Sequence, residues 1–332
     1  MAIKVGINGF GRIGKYMARL LAGNKDLELV AVNARADNAT LAHLMQYDSV
    51  HGILNAQVQA NDQGFTVDGT QVQVTRQPPG EWIWGDLGVD MVLETTGKFT
   101  DRESSEKHLA CGAKKVLISA PGKNADNTVV VGVNESDLRP EDKIISNASC
   151  TTNCLAPATK VVHDSFGIKH GLMTTIHSYT MDQRLLDGSH KDLRRARAAA
   201  MSMIPTTTGA ARAVTQVIPD LKGKLDGMAV RTSTPNVSLV DLVAEVEKKT
   251  SAQEVNQALK EASQGHLKDI LGYTEIPLVS VDYNGNTCGG VVDAPLTSVM
   301  DDTMVKLIVW YDNEAGFCYQ LMRLMHKVRE TM

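Results

Sequence analysis

The chain is short of cysteine, of long apolar runs and of net positive charge. Five Cys stand in 332 residues (Cys111, Cys150, Cys154, Cys288 and Cys318), an odd and sparse set. That argues against a disulfide framework and for a reducing, cytoplasmic setting. No Cys/His cluster has zinc-like spacing, so no metal site is expected. The longest apolar runs are far too short to span a bilayer, and the opening Ile3-Lys4-Val5 reads as strand, not as a secretory leader. Net charge is −4, with 43% hydrophobic and 22% charged residues, an ordinary globular composition without a basic footprint for nucleic acid. Internal repeats and low-complexity linkers are missing too. A length of 332 residues exceeds one typical core, so two domains are expected.

Against that background one thiol stands out, in Ser146-Asn147-Ala148-Ser149-Cys150-Thr151-Thr152-Asn153-Cys154. The following Leu155-Ala156-Pro157-Ala158-Thr159-Lys160-Val161-Val162 reads as a helix. A Cys at a helix start faces the positive end of the dipole, which favours the nucleophilic thiolate. Ser149, Thr151 and Thr152 supply hydroxyls suited to an anionic oxygen. Cys154, one turn further on, reads as a buried packing residue.

Near the start, Ile3-Lys4-Val5-Gly6-Ile7-Asn8 reads as a strand, residues 15–22 as a helix, and Gly9-Phe10-Gly11-Arg12-Ile13-Gly14 lies between them. A G-x-G-x-x-G in that setting lets the backbone close on a pyrophosphate at the helix N-terminus. A second strand, Leu27-Glu28-Leu29-Val30-Ala31-Val32-Asn33, follows. About 20 residues past the fingerprint an NAD site normally carries an acid for the ribose 2′-OH. Here that position is Ala34, followed by Arg35. Loss of the acid removes repulsion toward a 2′-phosphate and Arg35 adds attraction. The alternative is that Arg35 is solvated and Asp37 supplies the acid from a longer loop.

Residues 38–88 read as a helix followed by short strands, with turns at Asp68-Gly69 and Pro78-Pro79-Gly80. The strands ending at Thr95-Thr96 and at Ser119 point small hydroxyls to the ligand side of an open sheet. From about residue 171 onward the pattern alternates, at 171–180, 237–247 and 305–311, as in an antiparallel sheet. Residues 103–111, 252–264 and 313–328 read as helices. The run Lys191, Arg194, Arg195 and Arg197 reads as either an anion site or an ion-paired loop. Met201 and Met203 read as core or interface fillers.

These stretches together resemble phosphorylating glyceraldehyde-3-phosphate dehydrogenase, along essentially the whole chain. The signature is Ala148-Ser149-Cys150-Thr151-Thr152-Asn153-Cys154-Leu155. Val5 to Gly14, Tyr47-Asp48-Ser49-Val50-His51-Gly52, Thr206-Thr207-Thr208-Gly209-Ala210-Ala211, Thr234-Pro235-Asn236-Val237-Ser238 and Trp310-Tyr311-Asp312-Asn313-Glu314 support it. The resemblance implies an α/β fold: a Rossmann-type doubly wound cofactor domain over 1–149 and 314–332, and an α+β catalytic domain with an antiparallel or mixed sheet over 150–313. It implies Cys150 as nucleophile and His177 as its base and later acid. Ser149, Thr151, Thr208 and Gly209 would hold inorganic phosphate. Thr180, Asp182 and Arg231 would hold the phosphate of glyceraldehyde 3-phosphate, and Arg195 would be an additional anion-site arginine. Gly9, Gly11, Arg12, Ile13, Gly14, Ala34, Arg35, Thr96, Ser119 and Asn313 fall at the cofactor. A cytoplasmic homotetramer is implied, with no membrane and no primary nucleic-acid role.

Two departures bear on the cofactor. Ala34 stands where NAD-type members carry Asp, and Gly188-Ser189 where they often carry Leu-Pro, in a segment that approaches the adenine ribose of a neighbouring family subunit. Both changes favour NADP, alone or beside NAD. The sister erythrose-4-phosphate dehydrogenase remains an alternative, although Thr207-Thr208-Gly209-Ala210-Ala211 favours the phosphorylating reaction. A non-catalytic binding protein on the same fold is the other.

Overall fold

The computed structural model describes residues 2–332, which fall into two compact units. One takes the chain up to Val129, with Glu135–Ala148 and Leu321–Met332; the other is Val130–Asn134 with Ser149–Gln320.

The first unit is built on a nine-stranded sheet. Its spatial order is Asn127–Thr128, Ile144–Ser146, Lys115–Ile118, Met91–Glu94, Ile3–Asn8, Leu27–Asn33, Thr70–Thr75, Gly64–Val67, Val58–Asn61. All pairings from the first strand to Thr70–Thr75 are parallel, and the last two are antiparallel. The parallel strands are continuous apolar runs, such as fully buried Met91-Val92-Leu93 and Val116-Leu117-Ile118, because both faces are covered. Helix Arg12–Leu21 buries Met17, Ala18 and Leu21. From Ile3–Asn8 the chain builds to one side first and to the other later. The carboxyl ends of Ile3–Asn8 and Met91–Glu94 therefore flank a topological switch point, the ligand position of an open α/β sheet. The doubly wound expectation holds. The last strand of the 38–88 stretch, Thr70–Thr75, pairs with Leu27–Asn33 and extends the sheet. Its hairpin turns at Asp68 (φ 47°) and Gly69 (φ 81°), the left-handed pair that matches strand twist.

The fingerprint glycines answer to sterics. A Cβ on Gly14 would lie 2.3 Å from the Gly9 carbonyl oxygen and 2.7 Å from Thr95 Oγ1, so the helix can start against the turn only without one. Gly9 has φ +99°, where a side chain is strained. Gly11 has nothing within 4 Å, which leaves its backbone open to a ligand.

The second unit carries an eight-stranded mixed sheet. The order is Ile204–Thr207, Leu225–Thr232, Ile168–Ser178, Ser238–Val246, Met304–Tyr311, Gly290–Asp293, Leu271–Thr274, with Ser298–Met300 on the side of Met304–Tyr311. The alternating runs do pair antiparallel. Leu225–Thr232, however, lies parallel to Ile168–Ser178, which the intervening helix Ala210–Val217 permits by carrying the chain back. Helix Cys150–Phe166 is buried from Thr151 to Thr159. Pro157 inside it frees the Asn153 carbonyl, and Gly289 has no Cβ to crowd that oxygen, which would stand 2.9 Å away.

Gly14→Ala should destabilise the first unit by about 1–3 kcal/mol, because the new methyl meets backbone that cannot step aside. Thermal unfolding of the variant checks this; an unchanged midpoint would show that the turn yields.

Candidate active site

Cys150 is the first residue of its helix, so its side chain stands at the positive end of a 17-residue dipole. Ser149 is the N-cap, accepting from Thr152 N at 3.1 Å and pairing with Thr152 Oγ1 at 2.7 Å. Its hydroxyl is thus committed to the helix start, a use the sequence reading did not foresee. Ala148, buried just before it, is held at φ 54°, a strained conformation for a residue with a Cβ.

His177 lies near the end of strand Ile168–Ser178, and the parallel register sets Arg231 beside it. The Cys150 Sγ is 3.5 Å from His177 Nε2. On its other side, Nδ1 is 2.7 Å from the Ser178 carbonyl oxygen and 2.8 Å from Arg231 Nη1. The carbonyl can only accept and the guanidinium only donate. A ring proton on Nδ1 therefore serves Ser178, and one on Nε2 turns Nδ1 into an acceptor for Arg231. A doubly protonated ring would face a buried cation. Burial, with Arg231 next, pushes the His177 pKa down to about 3. Burial pushes the Cys150 thiol up, while Arg231 and the Thr151 hydrogen bond pull it down. Tyr311 packs edge-on against the imidazole, centroids 5.9 Å apart, and its hydroxyl lies 2.9 Å from both Thr151 Oγ1 and Thr175 Oγ1. Thr151 hence turns its hydroxyl inward to Tyr311. Cys154 is buried, its thiol directed at the Val309 carbonyl.

A second cationic group sits on the same unit. Arg195 is fixed by Asp182, by Thr206 Oγ1 (3.0 Å) and by the Thr207 carbonyl (3.2 Å). Strand Ile204–Thr207 then runs through Thr208 and Gly209 into helix Ala210–Val217, where Thr208 Oγ1 accepts from Ala210 N at 3.2 Å. The fold thus brings Arg195 and Asp182 to the Thr206–Gly209 run. Thr180 N donates to Gln183 at 3.2 Å. Half of the basic run resolves into ion pairs, Arg195 with Asp182 and Arg197 with Asp187 at 2.7 Å, while Arg194 donates to the Pro205 carbonyl at 3.3 Å. Met201 and Met203 are 82% and 79% exposed, so they are not core residues. Asn313, buried, accepts from Ser238 Oγ at 2.8 Å. Gly188 and Ser189 lie in the stretch between strand Ile168–Ser178 and Met201, where Arg184 donates to the Ser189 carbonyl at 2.8 Å.

On the first unit, a cavity of about 620 Å³ opens at the switch point, lined among others by Gly9, Gly11, Ala34, Arg35, Arg76 and Thr96. The glycine cradle and this cavity fit a dinucleotide. Arg12 is clamped by Asp48 at 2.5 and 3.0 Å, which gives the Tyr47–Gly52 stretch a job. Ile13 follows it in the same helix, and Ser119 Oγ donates to the Glu94 carbonyl at 3.0 Å. Asp37 caps helix Asn38–Gln46, accepting from Thr40 N and Thr40 Oγ1 at 2.8 Å, so it is engaged away from a ribose role. Arg76 was missed: it lines the cavity near Arg35 while donating to the Ala36 carbonyl at 2.6 Å and Asn38 Oδ1 at 2.7 Å. It carries no motif, and only strand pairing brings it there.

The first unit carries a dinucleotide cradle and the second a thiol–imidazole pair, features of an oxidoreductase. Family models agree: residues 3–102 match the glyceraldehyde 3-phosphate dehydrogenase NAD binding domain, and 149–313 its C-terminal domain. The chain is 59% identical to glyceraldehyde-3-phosphate dehydrogenase of Geobacillus stearothermophilus, over 98% of this chain and 97% of the relative. It is 57% identical to glyceraldehyde-3-phosphate dehydrogenase 1 of Bacillus subtilis (strain 168), over 98% and 97%. It is 53% identical to the chloroplastic glyceraldehyde-3-phosphate dehydrogenase A of Zea mays, over 97% and 81%. The chain belongs to the glyceraldehyde-3-phosphate dehydrogenase family. Among the described residues no helix is long and apolar enough to cross a membrane.

The low His177 value has a consequence for stability. Between about 6.5, the ordinary imidazole value, and about 3, only the unfolded chain takes up this proton. The contribution of neutral His177 is fully present above about pH 6.5 and is lost as pH falls through that window, by up to about 1.4 kcal/mol per pH unit. Thermal melts from pH 7.5 to 4.5 should fall more steeply for the native chain than for His177→Gln; parallel profiles would contradict the assignment.

Proposed function

We propose that this chain oxidises D-glyceraldehyde 3-phosphate to 1,3-bisphosphoglycerate, with Cys150 as nucleophile and His177 as proton carrier. The 3.5 Å approach of Cys150 Sγ to His177 Nε2 at a helix N-terminus is the observation that carries the reading. An aldehyde has no hydride to release until a nucleophile adds. The Cys150 sulfur adds to the carbonyl carbon as the C=O π bond breaks, and the thiol proton passes by way of His177 to the oxygen, which gives a hemithioacetal. His177 takes the hydroxyl proton as the C–H bond breaks, and a thioester on Cys150 remains. The bound nicotinamide supplies the hydride acceptor. Inorganic phosphate then attacks the thioester carbon, the C–S bond breaks, and the sulfur leaves as thiolate.

Arg231 and Arg195 are the cations for the two phosphate groups, with Thr180, Thr208, Gly209 and the first-turn N–H groups after Ser149 around them. An ionised Asp182 would repel an anion, and its pairing with Arg195 supports an orienting role. The cofactor is NADP, beside NAD. In support, Ala34 offers no carboxylate, Asp37 is engaged as a helix cap, and both Arg35 and Arg76 line the cavity. Gly188 and Ser189 complete the 2′-phosphate site from a neighbouring copy of a homotetramer. Exposed Leu172, Met228, Met300 and Met304 on the catalytic sheet, and Met181, Leu185, Leu186, Leu193, Met201 and Met203 in the 181–203 segment, support such assembly. A cytoplasmic setting accords with five sparse cysteines.

Initial rates with each dinucleotide, with and without phosphate, test the reading. Turnover should require phosphate and vanish in Cys150→Ser. Phosphate-independent oxidation would favour the sister erythrose-4-phosphate activity. Ala34→Asp should lower kcat/KM for NADP by tenfold or more, roughly one charge-assisted contact turned repulsive, and leave NAD within a few-fold. An unchanged preference would discard the NADP argument.

A further inference from the structure

Beneath the dinucleotide cavity lies a charged group that the reaction does not use. Glu94 ends strand Met91–Glu94 and is 1% exposed. Its Oε1 accepts from Thr96 N at 2.7 Å and from the Thr96 hydroxyl. Its Oε2 accepts from Asn8 Nδ2 at 2.6 Å and faces His108 Nε2 at 3.1 Å. His108 is 0% exposed, and its Nδ1 receives the Trp84 indole N–H at 3.0 Å. Indole nitrogen only donates, so Nδ1 is the acceptor and Nε2 carries the proton toward Glu94. The ring is neutral and the carboxylate is met by four donors, none of them a cation.

The network continues along the rim of the cavity. Asn33 Nδ2 donates to Asn8 Oδ1 at 2.9 Å, and Asn33 Oδ1 accepts from Thr75 Oγ1 and from Gln77 N, each at 2.9 Å. Asn8, Asn33, Gln77 and Thr96 all line the cavity. Thr96 also contacts the fingerprint, because a Cβ on Gly9 would meet Thr96 Cγ2 at 2.8 Å. One buried carboxylate therefore ties together the strand ends that carry the cradle.

We infer that Glu94 is a positioning residue for the dinucleotide: with His108 as its fixed donor, it holds Thr96 and Asn8, and through them the Gly9 turn, in the binding geometry. This rests on the cavity being the cofactor site. A buried anion is retained here because neutral donors satisfy it. An amide in its place brings two N–H donors against groups that themselves donate.

The test is Glu94→Gln, read by NAD and NADP dissociation constants from quenching of tryptophan fluorescence, with kcat at saturating cofactor and thermal midpoint alongside. The expected result is a dissociation constant raised about tenfold, the scale of one charge-assisted hydrogen bond. Turnover at saturation should stay within about twofold, and alkylation of Cys150 in the cofactor-free protein should be unchanged. A lowered midpoint with dissociation constants within twofold of the native chain would overturn the inference, because Glu94 would then only stabilise the fold. Glu94→Asp keeps the charge but shortens its reach, and it decides the same question by the same criteria if the amide variant does not fold. If the native chain binds neither dinucleotide, the cofactor reading itself falls, and the inference with it.

Discussion

The 2.8 Å approach of Arg231 to His177 Nδ1 sets, together with burial, which protonation states the imidazole holds. Burial first, and then the neighbouring guanidinium, which stays charged at any relevant pH, make a doubly protonated ring costly, so the imidazole rests neutral. The imidazole is thereby kept as a neutral group that can accept a proton at Nε2 or offer one, depending on whether Ser178 or Arg231 claims Nδ1. The register of two parallel strands makes this contact, and the helix crossover of Ala210–Val217 makes the register. The same crossover delivers the Thr206–Gly209 run to Arg195. A single topological choice thus places Arg231 beside His177 and the Thr206–Gly209 run beside Arg195.

Much of the first unit could be read in advance, since its signals are local. A glycine fingerprint between a strand and a helix has one steric meaning, and fully buried parallel strands show as uninterrupted apolar runs. Cys150 at a helix start was legible for the same reason. Less legible was how hydroxyls are spent. Ser149, Thr151 and Thr96 look alike as small polar residues near ligands. Ser149 caps a helix, Thr151 faces Tyr311 and Thr96 serves Glu94, and each use depends on a partner that sequence spacing does not reveal. For Met201 and Met203 the sequence left core and interface open, and their exposure in the single chain removes the core reading.

Residues brought in by distant pairing were invisible. Arg76 reaches the cavity only because Thr70–Thr75 joins the parallel sheet instead of closing a separate hairpin. Glu94 and His108 sit in an ordinary strand and an ordinary short helix. Their meaning arises from 86 residues of separation between Asn8 and Glu94.

The first unit also has an unusual relation to the order in which the chain is made. Its sheet is complete by Ser146, yet the same compact unit takes in Leu321–Met332, where Arg329 pairs with Asp26 at 2.9 Å. During synthesis the sheet emerges early and waits while the whole catalytic unit is added, with the apolar surface meant for Leu321, Leu324, Met325 and Val328 uncovered. The nascent chain is thus exposed to misassociation and to chaperone capture for about as long as the second unit takes to translate. The unit made second can finish folding before the unit begun first.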